Sequence, residues 1–152
     1  MKKIKQRTNK KGGFTLFELL VSISIIGILT ALASVAFSGA QKKARDARRM
    51  EDIKAIQTAA EQYYSQNNYV YPTSDVAPWT GGGQNILNVF PVDPKNDVAN
   101  GYVYVYDDIP IATTTYCVCA KVENTNNGNS AEDDCTADFS TTGSYFCAKN
   151  QQ

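Results

Sequence analysis

The apolar run at residues 14–37 constrains this chain more than any other feature. Glu18 is the only ionisable side chain in it, and the run is long enough to cross a bilayer as a helix of about 20 residues. A carboxylate inside a membrane segment is costly and is therefore interpreted first as a functional group. Glu18 needs a positive partner at the same depth. A cut after Gly13 would supply one as the new amine of Phe14, on the same chain or on a neighbouring one.

The residues around this junction resemble a known signature. Lys11-Gly12-Gly13, followed by Phe-Thr-Leu-Phe-Glu-Leu-Leu-Val, resembles the prepilin cleavage and methylation signature of type IV pilins and type II secretion pseudopilins. The resemblance is close over residues 11–64 and looser beyond them. It implies cleavage after Gly13 by a prepilin peptidase on the cytoplasmic face, methylation of the new amine at Phe14, and a role for Glu18 in docking between subunits.

Two simpler interpretations of the apolar run compete with this one. Ala31-Leu32-Ala33 before Ser34 fits the cleavage site of an ordinary secretory signal peptide. That interpretation is disfavoured because such a segment seldom carries a glutamate and because the helical pattern continues through the proposed cut. A plain single-pass anchor would leave Gly12-Gly13 and the position of Glu18 as coincidences.

Charge is distributed unevenly along the chain. The formal net charge is zero, but residues 1–13 hold six basic side chains and no acidic one, so their removal leaves nine basic against fifteen acidic side chains. Five basic residues follow the apolar run and nearly balance the leader in a positive-inside count: Lys42, Lys43, Arg45, Arg48 and Arg49. This count therefore leaves the orientation of the helix undecided. The resemblance of the leader implies that the amino terminus is on the cytoplasmic side. From residue 69 onward the head has three lysines and ten carboxylates, a balance that argues against nucleic-acid binding.

A helical period continues beyond the apolar run. Apolar side chains recur at three- and four-residue spacing at Met50, Ile53, Ile56, Ala60, Tyr63 and Tyr64. The other sides are polar: Arg48, Arg49, Glu51, Asp52, Lys54, Gln57 and Glu61. No proline occurs between residues 14 and 66, so we predict a single helix close to 80 Å long at about 1.5 Å per residue. Its apolar stripe should be the surface on which the C-terminal strands fold.

The rest of the chain is predicted to be a small β-rich head. Prolines and glycines make residues 69–100 mostly loop, with one helical turn at 85–89. Strands are predicted at 102–106, 113–122 and 144–148. The predicted fold class is α+β: a long N-terminal helix packed against a small antiparallel sheet, similar to type IV pilins. The predicted segments are a leader (1–13), a membrane and filament-core segment (14–37), an amphipathic continuation (38–67) and the head (68–152).

All four cysteines lie in the head, at Cys117, Cys119, Cys135 and Cys147. An even count in an extracytoplasmic domain predicts two disulfides. Cys117 and Cys119 point to one face of their strand, so each is expected to pair with Cys135 or Cys147. A four-thiolate zinc site is the alternative, disfavoured because paired zinc ligands usually have C-x₂₋₄-C spacing.

One loop has oxygen ligands near the spacing of a calcium loop. Glu123, Thr125 and Asn127 precede Gly128 in the required alternation, with Asp134 six residues further on, but the first and last positions do not fit the consensus. A solvated acidic loop is the favoured interpretation. No metal site and no cofactor is predicted.

The composition also disfavours an enzyme. The chain contains no histidine, which excludes Ser-His-Asp and Cys-His catalysis, and it lacks a Gly-rich phosphate loop. The expected function is a structural subunit of a type IV pilus or pilus-like filament. The alternatives are a pseudopilin of a type II secretion system, and a membrane-anchored minor pilin or adhesin that binds through an exposed loop around Trp79.

The resemblance also implies partners and a location. The partners are the prepilin peptidase, a pilus assembly ATPase, an inner-membrane platform protein, and further copies of this chain and other pilins in a helical filament. The location is the cytoplasmic membrane before assembly, and afterwards an extracellular pilus or a pseudopilus that spans the periplasm.

Overall fold

The computed structural model describes residues 13–107, 115–133, 139 and 142–151. Helix α1 runs from Leu16 to Gln66 and has 51 residues. The predicted single helix is confirmed, beginning two residues later than expected. Two consecutive residues with positive φ, Asn68 (56°) and Tyr69 (62°), follow its C-terminal end, and such left-handed residues commonly terminate helices.

The chain divides into two compact units with a boundary at Gly39 and Ala40. In the first unit the large apolar side chains of α1 are exposed, among them Leu16 (83%), Ile28 (64%) and Phe37 (66%). The helix is long and apolar enough to cross a membrane, and its most apolar stretch is not buried within the part of the chain that the structure describes. This surface therefore requires lipid or another protein as its environment.

The second unit contains a three-stranded antiparallel sheet in the order β3-β4-β5. Its strands are β3 (Tyr104–Asp107), β4 (Cys117–Lys121) and β5 (Tyr145–Lys149). Buried residues of this sheet share one core with Ile53, Ile56 and Ala60 of α1. The prediction that the apolar stripe of the helix is the folding surface for the C-terminal strands is confirmed, and the fold is α+β and pilin-like.

A hairpin occupies part of the segment predicted to be loop. Strands β1 (Trp79–Gly81) and β2 (Gln84–Leu87) pair antiparallel, so the helical turn expected at residues 85–89 is wrong. Gly82 (φ 57°) and Gly83 (φ 80°) form the two-residue connection. Two positive φ angles in succession are what the favoured hairpin turns require, and glycine adopts them without steric cost.

Trp79 lies inside this second unit. Its side chain is 4% exposed and packs at 5.4 Å, centroid to centroid, on the ring of Tyr106. The loop around Trp79 therefore does not present this side chain as a contact surface, contrary to the expectation attached to the adhesin alternative.

Candidate functional site

The predicted processing junction lies just before α1. Gly13, Phe14 and Thr15 are non-helical, and Phe14 is 92% exposed. A Cβ atom built on Gly13 would meet no atom within 4 Å. No contact within the described chain thus requires glycine at this position, so a requirement for glycine would have to come from a molecule that binds the junction.

Thr15 and Glu18 form a reciprocal cap at the start of α1. The backbone amide of Thr15 donates to Oε2 of Glu18 at 2.9 Å, and the hydroxyl Oγ1 of Thr15 donates to the same oxygen at 2.7 Å. The amide of Glu18 donates in turn to Oγ1 of Thr15 at 3.2 Å. This arrangement is a capping box, which satisfies amide groups that the first helical turn leaves without partners. From the sequence, Glu18 was assigned only a role in docking, and the cap was missed. The Thr-x-x-Glu spacing is the signal by which the motif could have been found.

The cap uses only one oxygen of the Glu18 carboxylate. Both hydrogen bonds from Thr15 end on Oε2, and Oε1 accepts none from the residues that the structure describes. An ionised carboxylate has about four acceptor sites. Glu18 can therefore cap its own helix and still receive a positive group from another chain.

The cysteines of the head form a buried group on β4 and β5. Cys119 and Cys147 face each other across the two strands and are joined by a disulfide. Cys117 is also disulfide-bonded, and the described residues contain no free cysteine. The pairing predicted for Cys119 is confirmed, whereas Cys135 lies outside the described residues. Sulfurs engaged in disulfides are not the thiolates that a zinc site needs.

The loop proposed as a calcium candidate instead carries one member of a buried charged cluster. We use this name for Arg45, Asp46, Arg49, Asp93 and Glu123. The guanidinium of Arg49 donates to both oxygens of Asp93 at 2.6 and 3.0 Å, to Asp46 at 2.8 Å and to Glu123 at 3.1 Å. Arg45 donates to both oxygens of Glu123 at 2.6 and 2.9 Å. Glu123 is thus paired rather than solvated, and the favoured interpretation of a solvated acidic loop is wrong for this residue; Asp134 is outside the described residues.

The sequence pattern placed Arg49 on the polar side of the helix, and this is also wrong. Its side chain is fully buried, as is that of Asp46. Asp46 accepts further hydrogen bonds from the amides of Glu123 (2.8 Å) and Asn124 (3.0 Å) and from the side chain of Asn127 (3.1 Å). No buried side-chain nitrogen or oxygen among the described residues lacks a partner. The charged cluster therefore fastens α1 to the segments that contain Asp93 and Glu123.

The charged cluster lowers the pKa of two carboxyl groups. Hydrogen bonds from Arg45, reinforced by Arg49, lower the pKa of Glu123 from 4.5 to about 2 despite its partial burial. Burial alone would raise the pKa of Asp93, but the hydrogen bonds from Arg49 and from the amide of Lys95 outweigh burial and lower it. Both groups favour the folded state only while they are ionised.

We therefore expect the head to lose stability in acid. A depressed pKa contributes stability that is complete above the unfolded value, here 4.5, and that disappears as the pH falls toward about 2. The fluorescence of Trp79, the single tryptophan, should report a lower unfolding midpoint at each step from pH 5 to pH 2. Glu123→Gln should be less stable than the wild type at pH 6 and should show a flatter pH dependence. Parallel pH curves for the two proteins would contradict this assignment.

Comparison with known proteins identifies a motif in the N-terminal part of the chain. Residues 8–34 match the model described as the prokaryotic N-terminal methylation motif. The chain is 33% identical over 109 residues to type II secretion system core protein G of Pseudomonas aeruginosa, which covers 63% of this chain and 74% of that protein. It is also 33% identical over 105 residues to core protein G of Vibrio cholerae, covering 68% of this chain and 64% of the relative.

A pilus protein is among the relatives as well. The type IV major pilin protein PilA of Myxococcus xanthus is 36% identical over 56 residues, covering 37% of this chain and 26% of that pilin. The chain spans about half to two thirds of the length of the core protein G relatives that it first matches. No solved structure matches it significantly. These relatives are named as parts of a secretion system and of a pilus.

The methylation motif, the long helix whose buried stripe packs on an antiparallel sheet, and the similarity to core protein G together show that this chain belongs to the family of type IV pilins and type II secretion pseudopilins.

Proposed function

We propose that the protein is a structural subunit of a type IV pilus or pilus-like filament. The observation that carries the proposal is the uncovered apolar surface of α1, with side chains such as Leu16 and Ile28 more than half exposed. This surface is suited first to lipid and then to the apolar helices of neighbouring subunits. Identical contacts that do not close a ring generate an open helical fibre.

The segments have separate roles in this proposal. Residues 1–13 are a leader that a prepilin peptidase removes between Gly13 and Phe14, and Phe14 becomes the methylated first residue. Residues 14–37 anchor the subunit in the membrane and later form the filament core, residues 38–67 continue the helix, and residues 68–152 form the extracytoplasmic head. Glu18 aligns subunits by pairing through Oε1 with the amine of Phe14 on a neighbouring chain.

The proposed partners follow from this pathway. They are the prepilin peptidase, an assembly ATPase with its inner-membrane platform protein, and other copies of this chain or related pilins. The subunit would be a single-pass protein of the cytoplasmic membrane before assembly. It would then lie in an extracellular pilus or in a pseudopilus that spans the periplasm.

A pseudopilin of a type II secretion system is the second candidate. It is favoured by the relatives, because core protein G sequences align over more of this chain than the pilin does. Both candidates would assemble through the same apolar helices, so the subunit contacts do not distinguish them. Purification of sheared fibres does. A long extracellular fibre composed mainly of this chain supports a pilus, whereas a short, periplasm-bound assembly supports a pseudopilus.

Processing is the first test of the proposal. The mature chain should begin at Phe14, as read by intact mass, and its first residue should carry one additional methyl group. Gly13→Leu should leave the precursor in the membrane. Gly27→Leu is the matched control, because a Cβ atom built on Gly27 also meets no atom within 4 Å, and it should be cleaved normally. A mature terminus at Ser34 would instead identify a secretory signal peptide.

A further inference from the structure

Lys42 and Lys43 are the first charged residues after the apolar part of α1. The stretch between Glu18 and Lys42 contains no charged side chain. At about 1.5 Å per residue this stretch measures roughly 35 Å as a helix, close to the roughly 30 Å thickness of a bilayer's hydrocarbon core. When Glu18 lies near one membrane surface, the two lysines therefore reach the level of the headgroups at the other.

The acid expected to neutralise these lysines is not available. Asp46 follows Lys42 by four residues and Lys43 by three, the spacings at which helical ion pairs form. Asp46 is fully buried, however, and its two oxygens are occupied by Arg49, two backbone amides and Asn127. Both lysines are exposed, and neither forms an ion pair with any residue in the described part of the chain.

The three arginines nearby differ from the lysines in this respect. Arg45 and Arg49 are paired with Glu123, and Arg49 also with Asp93. Arg48 is mostly exposed, but its guanidinium lies 3.8 Å from Asp52. Folding of the second unit thus neutralises the arginines and leaves a local excess of positive charge on the lysine pair alone.

We propose that Lys42 and Lys43 bind the phosphate of anionic lipid headgroups at the outer face of the membrane while the subunit awaits assembly. Lysine side chains next to a spanning helix extend to the headgroup level, and each lysine near an anionic surface strengthens binding about fivefold. The rest of the second unit is acidic, with seven basic against fourteen acidic side chains in residues 44–152. The lysine pair is therefore the point at which this unit can approach an anionic surface. The placement of Lys42 and Lys43 at the outer face of the membrane rests on the proposed function.

The test uses the whole chain in nanodiscs that contain equal amounts of phosphatidylglycerol and phosphatidylcholine. Native mass spectrometry of the released protein counts the lipids that remain bound. The wild type should retain phosphatidylglycerol in preference to phosphatidylcholine, and Lys42→Gln/Lys43→Gln should lower that ratio by at least fivefold. Lys54→Gln/Lys149→Gln is the matched control, because it removes the same charge from two other exposed lysines, and it should keep the wild-type ratio.

Three results would overturn the proposal. They are an unchanged ratio in the Lys42→Gln/Lys43→Gln variant, an equal loss in both variants, and the absence of any phosphatidylglycerol preference in the wild type. The lysine pair would be assigned to the filament instead by two results together: cross-links in fibres from Lys42 or Lys43 to an acidic residue of another copy, and no lipid preference in nanodiscs. The same spectrum reports the amino terminus by mass, so failure of processing and failure of lipid binding are observed separately.

Discussion

Replacing Arg49 with alanine is expected to destabilise the head strongly. The guanidinium makes four hydrogen bonds, two to Asp93 and one each to Asp46 and Glu123, and its removal leaves buried carboxylates without their cation. Breaking a buried ion pair from one side typically costs about 3–5 kcal/mol. That loss is comparable to a large part of the stability of a small domain, about 5–15 kcal/mol in total.

The measurement is urea unfolding of the full chain in detergent, followed by the fluorescence of Trp79, which is buried in the core of the same unit. Arg48→Ala is the matched control, because Arg48 is the adjacent residue but is mostly exposed and has one long contact with Asp52. Surface pairs of this kind contribute about 0–1 kcal/mol, so the control should unfold close to the wild type. A wild-type midpoint for Arg49→Ala would show that the charged cluster does not hold the head together.

Replacing Glu18 is expected to abolish fibres without preventing insertion or cleavage. In the filament this carboxylate would lie among apolar side chains, where a charge is tolerated only with a partner. Glu18→Ala leaves the Phe14 amine of a neighbouring subunit unpaired. We therefore expect the sheared-fibre fraction to fall on the order of tenfold or more, while the processed membrane pool stays at its normal level. The change to aspartate should be milder than the change to alanine.

Glu18→Gln separates capping from docking. Glutamine can replace glutamate in a capping box, so the start of the helix is preserved while the negative charge is lost. If pairing with an amine drives docking, the glutamine variant should assemble as poorly as the alanine variant. Fibres at wild-type yield from the glutamine variant as sole subunit would show that the cap, not the charge, is the contribution of Glu18 to assembly.

The sequence alone was sufficient for the elements whose signal is local. The three- and four-residue spacing of Ile53, Ile56 and Ala60 predicted both the helix and its buried face. The β-branched and aromatic runs predicted the positions of β3, β4 and β5 within a few residues. The hairpin β1-β2 was missed because its glycines and the prolines on either side of it, Pro78 and Pro91, indicated loop, although two adjacent glycines are also typical of a tight hairpin turn.

The buried charged cluster had no local signal. Arg49 follows a run of basic residues on a helix, and such a residue is usually exposed. Its partners Asp93 and Glu123 lie 44 and 74 residues further along the chain, so only the tertiary fold brings them together. The same reason explains why the choice of Cys147 as the partner of Cys119 required the strand register of β4 and β5.

The cap on α1 also determines the state of the helix end that the proposed cleavage after Gly13 would produce. Proteolytic enzymes cut chain that is accessible and not held in regular structure, and Gly13-Phe14 lies in the non-helical residues immediately before the cap. Thr15 and Glu18 are both downstream of this bond, so their hydrogen bonds would survive its hydrolysis. The proposed removal of residues 1–13 would therefore change the charge and expose an amine without unwinding the first turn, and the newly cut subunit would carry a finished helix end.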